Sequence, residues 1–329
     1  MMKTTLKIFV PLFLVLAVLV GCNLDGTGLF HDVAHSKKAS THTNINLLWT
    51  DGSAVYVQAD QDILLYSKNP SDPQVIDAKT IDLTAIDSSL SNRFIATRDK
   101  TSAGFVIFME NQNSIVSHVM NVNPTDYTLT LGSSSSPFTS APSAPFFAEY
   151  GTYVMEDAAG EWKVDGTTPI SLPQGGKFVS LLEDTLSSYF IVAKDSDGKF
   201  QIIQDGNTTI TGLDTAEKPI AYFNSYVVTQ DLTSSGTLST TGTLWKINGT
   251  IATKVTDLSN LGGTTLIFES NGTYYLVTNS KMWTIGTDSV QAIGTEPFKT
   301  LETGTKIVSA WSDSSLYVFV TESNGVYFY

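Results

Sequence analysis

Residues 266–293 read LIFESNGTYYLVTNSKMWTIGTDSVQAI. An apolar run breaks at Asn271-Gly272, resumes as T-Y-Y-L-V-T, breaks again, passes through K-M-W-T-I and ends on a short run after a Gly-containing turn. Alternation with period two marks strands rather than helices, and Asn-Gly marks a turn. These 28 residues therefore read as four short strands.

The same outline recurs along the chain. LLWTDGSAVYVQ begins at 47, FIATRDKTSAGFVIF at 94, FFAEYGTYVME at 146 and FVSLLEDTLSSYFIV at 178. IAYFNSYVVTQ begins at 220, LIFESNGTYYLVT at 266 and VSAWSDSSLYVFV at 308. A second signal follows four of these pairs: GEWKVDGTTPISL, GKFQIIQDGNTTITGL, TLWKINGTIATKV and KMWTIGTDSVQAI, with Trp162, Phe200, Trp245 and Trp283 in one place. Each of these aromatics is expected to lead a short strand. Asp165-Gly166, Asp205-Gly206 and Asn248-Gly249 are the dipeptides of type I′ hairpins, because both residues tolerate positive φ. No convincing amphipathic helix follows residue 45.

Four strands in a unit of about 42 residues, seven times over, is the arithmetic of a β-propeller. One four-stranded sheet cannot bury both faces alone, so sheets stacked radially cover one another and aromatics fill the wedges. The expectation is an all-β, seven-bladed propeller of four-stranded antiparallel blades over residues 41–329, with Trp162, Trp245 and Trp283 in the cores between blades. No WD signature or kelch double-Gly motif assigns it to a named propeller family. The seventh unit lacks a fourth run before Tyr329. An open edge exposes unpaired backbone groups, so residues around Thr41 to Asn44 are expected to supply the missing strand and clasp the ring.

The N-terminus is a different kind of segment. Lys3 and Lys7 form a basic head, and Ile8 to Val20 is an apolar core of 13 residues. A transmembrane helix needs about 20, so residues 1–21 read as a secretory signal. Leu19-Val20-Gly21-Cys22 resembles the lipobox of bacterial lipoproteins. The resemblance implies cleavage before Cys22, a diacylglyceryl thioether on its sulfur, acylation of its new amine, and attachment to the membrane of the cell envelope. Two acyl signals anchor a protein stably where one does so only marginally. Asn23 rather than Asp after the cysteine leans toward the outer membrane in a Gram-negative host. Residues 22–40 then form the acylated N-terminus and a flexible tether.

Composition excludes several functions. Cys22 is the only cysteine, so disulfides, thiol catalysis and thiolate metal sites are ruled out in the mature chain. Removing residues 1–21, with two lysines and no acid, takes the net charge from −13 to −15. The only arginines are Arg93 and Arg98. Such a chain repels phosphate backbones, so nucleic acid is not an expected partner.

Catalytic signals are sparse. His31, His35 and His42 fall in or beside the tether, His118 falls in the second unit, and no GxSxG or HExxH occurs. KDSDGKF at 194–200 has Asp195 and Asp197 but lacks the third acid of a calcium loop, and a hairpin turn explains it. No cofactor, metal or catalytic residue is assigned. A polar residue does recur where the first strand of each unit ends: Asp51, Asp99, Glu149, Asp184, Asn224, Glu269 and Asp313. These positions would ring one mouth of the central channel, binding a cation or repelling anions. Alternatively, they are residues that suit a turn. The Ser- and Pro-rich stretch 123–145, with one strand at Tyr127 to Leu131, and the segment 230–243 read as surface loops.

The functional expectation is a lipid-anchored, monomeric binding or scaffold module for an envelope protein or glycan. The rivals are a glycan-active enzyme, with paired carboxylates about 5–9.5 Å apart in a cleft, and a surface adhesin that makes contact through the two loops.

Overall fold

The computed structural model describes residues 45–328 apart from 100–102, 112–113, 135–137, 140–145, 150, 158, 183–187, 263–264, 279–280, 294–306, 314–315 and 322–324. Blade 1 comprises β1 (Ile45–Thr50), β2 (Ala54–Ala59), β3 (Asp62–Asn69) and β4 (Asp72–Ile81), and leads into the one-turn helix α1 (Leu83–Ile86). Blade 2 comprises β5 (Phe94–Arg98), β6 (Gly104–Asn111), β7 (Ser114–Val122) and β8 (Leu129–Ser134), with β9 (Phe138–Thr139) also on β7. Blade 3 has β10 (Phe146–Glu149), β11 (Thr152–Glu156), β12 (Trp162–Val164) and β13 (Thr168–Pro169). Blade 4 has β14 (Lys177–Leu182), β15 (Phe190–Lys194), β16 (Phe200–Gln204) and β17 (Thr208–Ile210). Blade 5 has β18 (Lys218–Phe223), β19 (Tyr226–Leu232), β20 (Leu238–Asn248) and β21 (Ile251–Ser259). Blade 6 has β22 (Thr265–Ser270), β23 (Thr273–Thr278), β24 (Lys281–Ile285) and β25 (Val290–Ala292). Blade 7 has β26 (Ile307–Asp313), β27 (Leu316–Thr321) and β28 (Gly325–Phe328).

The chain is thus a seven-bladed β-propeller of antiparallel sheets, and each of the seven hairpins read from the sequence is the inner hairpin of a blade. The first strands touch in the order β1, β5, β10, β14, β18, β22, β26 and back to β1, which closes the inner ring. The expected clasp at Thr41 to Asn44 lies outside the described residues.

Second strands show why the ring holds. In β2, Ala54 and Tyr56 point into the seam with blade 2, while Val55, Val57 and Ala59 point into the seam with blade 7. In β6, Phe105, Ile107 and Met109 face blade 1, while Val106 and Phe108 face blade 3. Period-two alternation therefore sends adjacent side chains into two different cores, which is why these strands read as unbroken apolar runs. The buried apolar side chains fall into seven clusters, one at each seam. Trp162 stacks on Phe178 of blade 4 at 4.6 Å, Phe200 and Trp245 share the blade 4–5 core, and Trp283 packs on the blade 5–6 core. All four aromatics lie on third strands, as expected, although Trp245 sits well inside the long β20 rather than at its head.

Four inner strands carry a β-bulge at one equivalent place, leaving Leu48, Val179, Ile220 and Val308 as the extra residues. Each packs into the seam with the following blade. A bulge bends a strand and increases its twist, as a strand lining a narrow channel requires. In sequence, each bulge appears only as an apolar residue out of alternation.

Both expected loops turn out to contain regular structure. Asn123 to Thr128 is a tight turn closed by Asn123 N–H on the Thr128 carbonyl at 2.9 Å, and β8 and β9 follow it. The strand expected at Tyr127 to Leu131 begins two residues later, because Tyr127 has φ +56° and belongs to the turn. The stretch 230–243 is the tip of the β19–β20 hairpin, turned at Thr233–Thr237. Residues 157–161, 195–199 and 233–237 form one repeated turn, each 38 residues after the last. In each, the first side chain accepts from the backbone N–H four residues on, and a glycine sits fourth. Asp195 is thereby occupied as a turn residue. Asp165-Gly166 and Asp205-Gly206 have both residues at positive φ, as a type I′ turn requires, whereas at Asn248-Gly249 only the glycine does.

Candidate functional site

Strand polarity gives the ring two unlike faces. One, the hairpin face, carries the turns between first and second strands and between third and fourth strands. The other, the crossover face, carries the turns between second and third strands and the connections into each next blade. The polar positions read from the sequence belong to the hairpin face: Asp51 follows β1, Asp99 follows β5, Glu149 ends β10, Asn224 follows β18, Glu269 lies near the end of β22 and Asp313 ends β26. Asp184 lies outside the described residues.

These positions share a face, but no three His, Cys, Asp or Glu side chains come together as a metal set among the described residues. Their chemistry is local and between blades. Asp51 Oδ1 accepts from Ser53 N at 2.8 Å and Ala54 N at 2.9 Å, closing its own turn. Its carboxylate also meets the hydroxyl of Tyr127 from blade 2. Burial, then that carboxylate, pushes the Tyr127 pKa up. Asn224 Nδ2 donates to the Tyr274 hydroxyl across the blade 5–6 seam at 2.5 Å. Burial, followed by the Glu269 charge, raises the pKa of Tyr274 as well. The Glu269 carbonyl accepts from Ser312 Oγ of blade 7 at 2.7 Å. At Asp51 the polar side chain closes its own turn, and at Asn224 it fastens a seam.

Tyrosine beside carboxylate is the repeated feature, and the sequence reading missed the tyrosine half of it. Tyr153 stands beside Asp165 and Tyr189 beside Asp205 and Asp165, and burial is the larger cause of the raised pKa in both, to about 12 for Tyr153. Asp165 Oδ1 and Asp205 Oδ1 also accept from Tyr153 N and Tyr189 N, at 3.0 and 3.1 Å. The available signal was a Tyr at or near the start of several second strands, but β propensity alone explains such a residue.

The hairpin face is acidic. Its turns carry Asp51, Asp99, Asp126, Asp165, Asp205 and Asp288, and no lysine or arginine among the described residues. Lys246 approaches from the end of β20 and lies 5.6 Å from the Tyr226 ring. Where blades 7 and 1 meet, Trp311 and Leu316 lie over the Gly52 turn: a Cβ on Gly52 would stand 2.9 Å from Leu316 Cδ1 and 3.2 Å from the Trp311 ring. Leu316 is 36% exposed, Trp311 is half-buried, and Asp51 and Asp313 are exposed beside them, whereas Tyr317 turns the other way into the blade 6–7 seam.

The inner ring is fastened by side chains that the sequence reading did not single out. Arg98 Nη2 on β5 donates to Ser309 Oγ at 2.8 Å and to the Ala310 carbonyl at 3.1 Å, both on β26, and Nε reaches the Leu47 carbonyl on β1 at 3.4 Å. One guanidinium thus ties blades 7, 1 and 2. Gln58 Oε1 accepts from Ala96 N at 2.7 Å, and Gln61 Oε1 accepts from Phe94 N at 3.0 Å. These bonds occupy backbone groups on the edge of β5 that would otherwise be open. Glu217 does similar work in blade 5, accepting from the hydroxyls of Thr229 and Thr243, with Trp245 Nε1 donating to Thr229 Oγ1 at 2.8 Å.

No protein-family profile matches the chain, and no curated protein is similar in sequence. Solved structures are similar in shape. YCF48 from Cyanidioschyzon merolae has a TM-score of 0.51 at 11% identity, covering 90% of this chain and 98% of its own. YCF48 bound to D1 peptide gives 0.51 and 11%, covering 91% and 96%. BamB from Moraxella catarrhalis gives 0.41 and 9%, covering 90% and 97%. At these identities the likeness concerns the fold alone.

Proposed function

We propose that the protein is a lipid-anchored module of the bacterial cell envelope that binds a protein partner on its hairpin face. The observation that carries the partner is the patch at the junction of blades 7 and 1. There Leu316 is exposed and Trp311 is half-buried over the Gly52 turn, with the carboxylates of Asp51 and Asp313 around them. Aromatic side chains at the centre and polar groups at the edge are the makeup of a protein interface. The similar fold of YCF48 has been captured with a peptide, which accords with this reading. The anchor rests on the lipobox resemblance at Leu19 to Cys22. An acidic body gains nothing from an anionic bilayer surface, so acyl chains would be what holds it there.

Two measurements test the proposal. Cys22→Ser should move the protein from the membrane fraction to the soluble fraction or leave an uncleaved precursor, and the mature wild type should carry the mass of a diacylglyceryl thioether. An unmodified Cys22 in the mature protein would remove the anchor. Leu316→Glu should abolish recovery of the partner with the purified protein, while the variant still unfolds in one cooperative transition as a folded propeller does. Unchanged recovery would remove this face as the interface.

A further inference from the structure

A second feature lies on the crossover face, away from the proposed interface. A cleft of about 620 Å³ opens where the chain leaves blade 1 and enters blade 2. That volume falls within the range of sites that enclose small ligands or a few residues of peptide. Its floor is Ile63, Ile81, Leu83, Leu90 and Phe94, and its rim is polar.

The rim separates into committed and uncommitted groups. Asp82 caps helix α1, accepting from Thr84 N at 3.0 Å, Ala85 N at 3.3 Å and Thr84 Oγ1 at 2.7 Å. Gln61 is taken by the backbone of Phe94. With Gln58 on Ala96 N, those bonds also close the edge of β5, so an incoming chain cannot add there as a strand. The side chains of Asp62, Thr80, Ser91, Asn92 and Arg93 are exposed and make no hydrogen bond or ion pair among the described residues. Arg93 is one of only two arginines, and the other is spent inside the ring.

We propose that this cleft takes the free C-terminus of a peptide whose last side chain is apolar. The Arg93 guanidinium presents a planar fork that matches a carboxylate with two parallel bonds. The apolar floor receives the terminal side chain, and Asp62, Thr80 and Asn92 supply acceptors and donors for the preceding backbone amides. Inorganic phosphate alone would leave the apolar floor uncovered. This inference extends the reading of the protein as a peptide-binding module, at a site separate from the hairpin face.

The experiment uses residues 23–329, the mature chain without its acylated cysteine, uniformly labelled with nitrogen-15. The probes are N-acetylated tetrapeptides ending in Leu, Val or Phe, each as the free acid and as the C-terminal amide, with inorganic phosphate as a competitor. The free acids should shift the amide signals of residues 90–94. The amides should bind about tenfold more weakly or less, and Arg93→Gln should weaken the acids by a similar factor, as loss of one charge-assisted pair implies. Phosphate should compete poorly. Equal binding of acid and amide, unchanged binding by Arg93→Gln, effective competition by phosphate, or no shift at millimolar peptide would each overturn the proposal. None of these results bears on the hairpin face, whose own test is the Leu316→Glu variant.

Discussion

At the scale of single residues, seam chemistry decides stability. Trp245 is 8% exposed, fills the blade 4–5 core and satisfies Thr229 through its ring N–H. Trp245→Ala should cost about 3–5 kcal/mol, by cavity and lost bond together, measured as the shift in urea midpoint. Gly104 is required for close approach: a Cβ there would sit 1.8 Å from the Met120 carbonyl oxygen. Gly104→Ala should therefore cost about 1–3 kcal/mol or more through forced backbone movement. His118 is buried, its Nδ1 has no partner among the described residues, and burial lowers its pKa despite the opposing charge of Asp87. The unfolded chain, with an ordinary histidine pKa near 6.5, then binds the proton more readily than the folded one. Stability should fall as pH drops below about 6.5 toward the lowered folded value. His118→Asn should flatten the pH 5–7 segment of the melting profile, and an unchanged slope would show that another group titrates there.

At the scale of elements, the hairpins were readable and their accessories were not. Asp165-Gly166 announces a turn because the dipeptide has few other uses, and the alternation in β23 announces a strand because one face of it must differ from the other. The far end of β8 and the short β9 were hidden for the opposite reason: β8 ends in glycine and serine at the edge of a sheet, where packing demands little of the sequence. Bulges at Leu48 and Val308 looked like ordinary apolar residues. Arg98 was noticed only as a rare charge, since nothing local tells that its guanidinium crosses to β26. Blade 7 has three described strands, and a strand from the chain before β1 is expected to complete it. Deleting residues 38–44 should lower the melting temperature by several degrees. If the temperature did not change, the clasp assignment would be wrong.

At the scale of the whole molecule, the fold comes from one repeated solution: sheets too thin to bury both faces, each covered by its neighbours. The arginine bridge across β1, β5 and β26 sits where the last blade meets the first two. Arg98→Ala should accordingly lower the denaturation midpoint more than Arg93→Ala, whose side chain is exposed. Function was less legible than fold, because the hairpin face is assembled from blades far apart in sequence. Asp51 and Leu316 are neighbours only after the ring closes. Site-specific photo-crosslinking in intact cells tests the functional claim most directly, with the crosslinker at Leu316 in the blade 7–1 patch or at Ile251, at the outer rim of blade 5 on the same face and 59% exposed. The account predicts a discrete crosslinked protein from Leu316 and none from Ile251. Equal crosslinking from both positions, or none from Leu316, would contradict it.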